Sequence, residues 1–94
     1  MREILAFSIT KGYHCGGKDI TQWSDGTSSE YGTVRDISDC KMTCFLHPEC
    51  SGFVHRILHR GSPDGVCGYW KEGPLSHRPI NDHVCYEKTP GTNI

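Results

Sequence analysis

Long hydrophobic runs are missing from this chain: no stretch approaches the ~20 consecutive apolar residues that a transmembrane helix requires. Basic runs are missing as well. The 10 basic and 11 acidic residues are mixed along the chain and leave a net charge of −1. No nucleic-acid surface and no membrane insertion is therefore expected. Apolar residues are scarce at 35%, below an ordinary globular composition. The 94 residues make one domain, and a domain this small buries only roughly 60–65% of the surface its unfolded chain exposes. The opening segment, Met1 to Phe7, is too short and too acidic for a signal peptide. Met1 reads as an added start codon, and the chain as a piece of a longer secreted protein.

What is present in quantity is cysteine. Cys15, Cys40, Cys44, Cys50, Cys67 and Cys85 make an even set of 6. In a chain this short, such a set reads as a disulfide framework formed in an oxidising, extracellular compartment. Each bridge contributes roughly 2–4 kcal/mol by restricting the unfolded chain, which offsets a thin core.

Along the chain, Ile4 to Thr10 is apolar and β-prone, and Asp19 to Trp23 suits a second short strand. Ser24 to Ser29 has no apolar residue and reads as an exposed loop. A helix is predicted over about residues 38–47, with Ser38 as N-cap, Asp39 in the first turn and Pro48 closing it. Cys40 and Cys44, four apart, face one side of it, with Met42 and Phe45 able to pack at the flanks. Gly52 to Leu58 and Val66 to Lys71 form a predicted hairpin around Gly61-Ser62-Pro63-Asp64-Gly65. Gly73-Pro74 is expected to break the chain before a last strand at His83 to Glu87. The fold class is α+β with an antiparallel sheet. Residues 1–10 read as a linker or first-strand extension, 11–89 as the domain and 90–94 as a tail. Spacing leaves the cysteine connectivity open, with Cys40 or Cys44 able to tie the helix to Cys67.

Reactive chemistry finds little support. Cys40, Cys44, His47 and Cys50 offer four metal ligands, but not at the spacing of paired zinc knuckles, and Cys15 and Cys85 would be left without a role. No metal and no cofactor is expected. A Cys–His nucleophile needs a free thiolate, which committed cysteines do not supply. Gly16-Gly17-Lys18 lacks the glycine spacing and the following Ser/Thr of a phosphate loop. The chain is expected not to be an enzyme.

The run Asp39-Cys40-Lys41-Met42-Thr43-Cys44, followed by Pro48-Glu49-Cys50-Ser51-Gly52-Phe53, resembles the core motif of PAN/apple domains. Cys67-Gly68-Tyr69-Trp70-Lys71 is similar to the family's next hairpin strand, and Gly17-Lys18-Asp19-Ile20 to its early strand. Cys15 and Cys85 match the additional bridge of apple domains. The resemblance covers residues 13–88. It implies the pairing Cys15–Cys85, Cys40–Cys67 and Cys44–Cys50, and a curved sheet of about five strands cradling one helix. The segment before Cys15 is longer than apple domains usually have. Gly12 to Cys15 and Asp82 to Lys88 look most similar to apple domains of apicomplexan microneme adhesins.

The resemblance implies an adhesive binding module, one of several tandem domains, that recognises a host-cell surface glycan, a glycoprotein or a partner protein. The alternative is a protein-docking apple domain of a secreted protease or growth factor. Sugar binding needs an aromatic face and planar polar groups. Tyr69, Trp70 and Lys71 on one strand, with Asp82, His83 and Tyr86 near the last, offer such a set. Strand alternation sends Tyr69 and Trp70 to opposite faces. If Cys67 faces the helix, Tyr69 joins the core and Trp70 lies nearer solvent. Trp23, beside Ser24-Asp25-Gly26, is a second candidate as an exposed anchor. Arg56 and Arg60 suit protein binding, though they read first as an ordinary solvated hairpin tip.

Overall fold

The computed structural model describes residues 7–58 and 64–88. Four strands and one helix follow in the order β1 (Phe7–Asp19), β2 (Val34–Asp36), α1 (Ile37–Leu46), β3 (Gly52–Ile57) and β4 (Asp64–Lys88). All strand pairings are antiparallel. The fold is a small α+β domain with three disulfides, Cys15–Cys85, Cys40–Cys67 and Cys44–Cys50. This is the pairing that the family resemblance implies. The three bridges suit an oxidising environment. Among the described residues, no helix is long and apolar enough to cross a membrane.

The sheet is organised by β4, which runs for 25 residues. Its first leg pairs with β2 through Val66↔Val34 and with β3 through Trp70↔Phe53. Its last leg returns along the other side of β3 through Tyr86↔Phe53 and Cys85↔Val54. β3 is thus flanked on both sides by one strand. The expected break at Gly73-Pro74 does not occur, and the two predicted strands of this region are one, so the sheet has four strands and not about five. Five strand positions nevertheless lie side by side, because β4 fills two of them.

β1 accompanies β4 from Phe7↔Lys88 to Asp19↔Lys71, as a ribbon that bends where the register shifts between Lys11 and Tyr13. Gly12 on β1 (φ 80°) and Asp82 on β4 (φ 66°) adopt the left-handed conformation at this bend. Glycine carries no steric penalty there, and aspartate is among the few other residues that tolerate it. The bent ribbon lays Leu75 against Cys15, Val54 and Cys85 on one face of the sheet. On the other face, Phe53, Trp70, Trp23 and Ile20 pack with Cys40, Cys44, Cys50 and Cys67 beneath α1.

α1 starts one residue earlier than predicted, and its N-cap is Asp36, not Ser38. Asp36 is still extended as it leaves β2, so its carboxylate accepts from the Ser38 N–H at 3.3 Å. His47, extended before Pro48 as the proline demands, donates its Nδ1–H to the Thr43 carbonyl at 2.8 Å. Cys40 and Cys44 are the buried stripe, while Met42 stays exposed and does not pack at the flank. The expected strand at Asp19 to Trp23 reduces to the end of β1 and an isolated bridge between Gln22 and Ser28. Phe7 to Thr10 belongs to β1 and extends the sheet. Ile4 to Ala6, the turn residues Gly61 to Pro63, Arg60 and the tail lie outside the described residues.

Candidate functional site

The six side chains singled out for ligand contact go to three different places. Trp70 is fully buried and not near solvent. Its indole Nε1–H donates to the Ser29 carbonyl at 2.9 Å, and its ring meets Phe53 edge-on. The cause is a β-bulge: β3 pairs Val54 with Tyr69 but Arg56 with Val66, so β4 carries one extra residue around Cys67-Gly68. An extra residue reverses the alternation beyond it. Cys67 and Trp70 therefore share the helix face, while Tyr69 packs toward Cys15 and Val54 on the other. The bulge is also where a neighbouring loop docks, since the Gly32 N–H donates to the Gly68 carbonyl at 3.0 Å.

Trp23 is likewise buried and is not an exposed anchor. Its ring stacks on His47 at 3.7 Å and leans on Trp70 at 5.6 Å. The polar loop beyond it is held down, with the Ser24 N–H donating to Glu49 Oε2 at 2.8 Å and the Trp23 N–H to the Thr27 carbonyl at 2.8 Å. Tyr86 is half-buried and stacked on Phe53 at 4.9 Å, with Lys41 Nζ 5.6 Å from its ring centre. Burial pushes its phenol up from the ordinary value. These three aromatics belong to the core around Phe53 and α1.

Lys71 is buried on the opposite face. Its ammonium donates to Asp19 Oδ1 and, at 3.1 Å, to the Tyr31 hydroxyl, which in turn donates to Asp19 at 2.9 Å. Burial by itself lowers the Lys71 pKa, but its bonds to Asp19 and Tyr31 prevail and raise it. The bond from Lys71 holds the Asp19 carboxyl below its usual range, and burial raises the Tyr31 phenol. The triad reads as an internal ion pair that anchors the end of β1 to β4.

Asp82 and His83 lie apart from both groups, on the bend of the ribbon. Asp82 is exposed, and His83 is half-buried with its Nδ1 3.3 Å from Nδ1 of His14. In the ladders, His14 stands opposite Arg78 and His83 opposite Arg56. His14 is lowered first by burial, then by the charges of Lys71, His83 and Arg78, with Asp19 opposing. His83 is lowered by burial and then by Arg56, with Asp82 opposing. The bend is thus a locally cationic ledge on a chain of nearly balanced charge. Tyr13, the residue before His14, is exposed and meets His77 edge-on at 6.5 Å, and strand alternation sends it to the other side of the ribbon.

His14 and Arg78 were not legible as site residues, since His14 and His83 lie 69 positions apart. The available signal was the outer cysteine pair: joining Cys15 to Cys85 brings the residues beside each into reach. Among the described residues, no group of three or more His, Cys, Asp or Glu is arranged to hold a metal ion, and no pocket is present. No family model matches the chain, and no match is found among curated proteins or solved structures.

Proposed function

We propose that this chain is a secreted adhesive binding module of the PAN/apple type, and not an enzyme. It engages a host-cell glycan or a partner protein through the ledge formed by His14, His83, Asp82, Arg56 and Arg78. The observation that carries the reading is the joining of all six cysteines in bridges that lash both ends of the chain and the helix to one sheet. Such a scaffold is rigid without a large core. On it the ledge supplies the planar polar and cationic groups that recognise hydroxyls and acidic substituents. Its place in the parent protein is one of several tandem domains.

A glycan array probed with the disulfide-intact chain tests this. Saturable binding to one sugar class is expected, weakened by Arg56→Ala and His83→Ala and unchanged by Met42→Ala. The second reading, a protein-docking apple domain of a secreted protease or growth factor, has in its favour the exposed Met42 and Leu46, four apart on α1. A flat array together with a purified protein partner would replace the first reading by the second.

A further inference from the structure

The two imidazoles at the bend face one another nitrogen to nitrogen, with Nδ1 of His14 3.3 Å from Nδ1 of His83 and ring centres 5.4 Å apart. Two nitrogens bound at about 2.0–2.1 Å to one tetrahedral ion lie about 3.3–3.4 Å apart. Neighbouring ligands of a square or octahedral ion lie closer, at about 2.9–3.0 Å. We propose that His14 and His83 form a two-imidazole site for a zinc-class divalent ion in tetrahedral coordination, bound through Nδ1 of both rings.

The backbone prepares this geometry. His14 sits two residues past the left-handed Gly12, and His83 follows the left-handed Asp82. Both are held by ladder pairing to Arg78 and Arg56, and the Cys15–Cys85 bridge fastens the two strands beside them. Burial and then neighbouring cations lower both imidazoles from their ordinary value, in the direction of the uncharged ring that ligates. Without metal, one ring's Nδ1–H donates to the other's lone pair. On binding, that ring moves its proton from Nδ1 to Nε2, so both lone pairs converge on the ion and no proton is lost.

Arg78 and Lys71 face His14 with Asp19 opposing, and Arg56 faces His83 with Asp82 opposing. This excess of positive charge disfavours a bare cation. It favours an ion whose two remaining positions carry hydroxide or an oxygen of an acidic ligand. Metal binding here neither requires nor excludes a glycan.

The test titrates zinc chloride into the disulfide-intact chain and follows imidazole nitrogens by NMR. One equivalent is expected to shift Nδ1 of His14 and His83 and to place both rings in the Nε2–H tautomer. His14→Ala and His83→Ala should each weaken binding roughly tenfold or more, since losing a direct ligand costs at least what an outer-shell change does. His77→Ala should leave it unchanged. Unperturbed His14 and His83 resonances in the unmodified chain would overturn the site, as would undiminished zinc affinity in a folded His83→Ala variant.

Discussion

Removing the bridges one at a time should rank them by the length of chain each one closes. The Cys15–Cys85, Cys40–Cys67 and Cys44–Cys50 pairs span 70, 27 and 6 positions. Restriction of the unfolded chain scales with the logarithm of that span. It gives about 4.4, 3.6 and 2.2 kcal/mol in the same order at 25 °C. All six cysteines are buried at 0–1% exposure, so replacing each pair by alanine removes similar buried volume and the ranking survives. The assay is guanidinium unfolding of C15A/C85A, C40A/C67A and C44A/C50A. The first should lose about 2 kcal/mol more than the last, a factor of roughly 30–40 in the unfolding constant. Its denaturant slope should also rise, because a chain without the outer bridge expands further on unfolding. If C44A/C50A proves the most damaging, the loss is local to the end of α1 and the chain-restriction reasoning fails.

Trp70→Ala should cost about 3–5 kcal/mol in the same assay, through the cavity and the unpartnered Ser29 carbonyl; a change within about 0.5 kcal/mol would mean the indole is at the surface. Asp19→Ala leaves the Lys71 ammonium buried with only Tyr31. Because Asp19 is half exposed, the expected loss is about 1–2 kcal/mol, mostly recovered in the Asp19→Ala/Lys71→Met double variant. No recovery there would show that the pair is not coupled. His55 is buried, its Nε2 has no hydrogen-bond partner among the described residues, and burial lowers its pKa from the ordinary 6.5. Its contribution is therefore complete above pH 6.5 and declines on acidification, as the unfolded chain takes up the proton before the folded one. Thermal unfolding between pH 7.5 and pH 5 should show this decline, with a smaller slope in His55→Leu.

The sequence alone determined what depends on composition and on short-range spacing. Six cysteines in a chain with few apolar residues announce a stapled domain. Cys40 and Cys44 at helical spacing announce the face of α1 that turns to the sheet, and Gly52 to Leu58 reads directly as a strand. Each of these is settled within a few residues of backbone. What required the tertiary structure depends on register. One extra residue at Cys67-Gly68 turns Trp70 inward and Tyr69 away from the helix, and alternation counted along β4 cannot detect it without seeing β3. Trp23 is buried because the loop after it is tied to Glu49, a residue 25 positions away. The ledge exists because the ribbon bends at Gly12 and Asp82 and brings His14 to His83. Contacts between residues distant in the chain decided these three outcomes, and no local pattern encodes them.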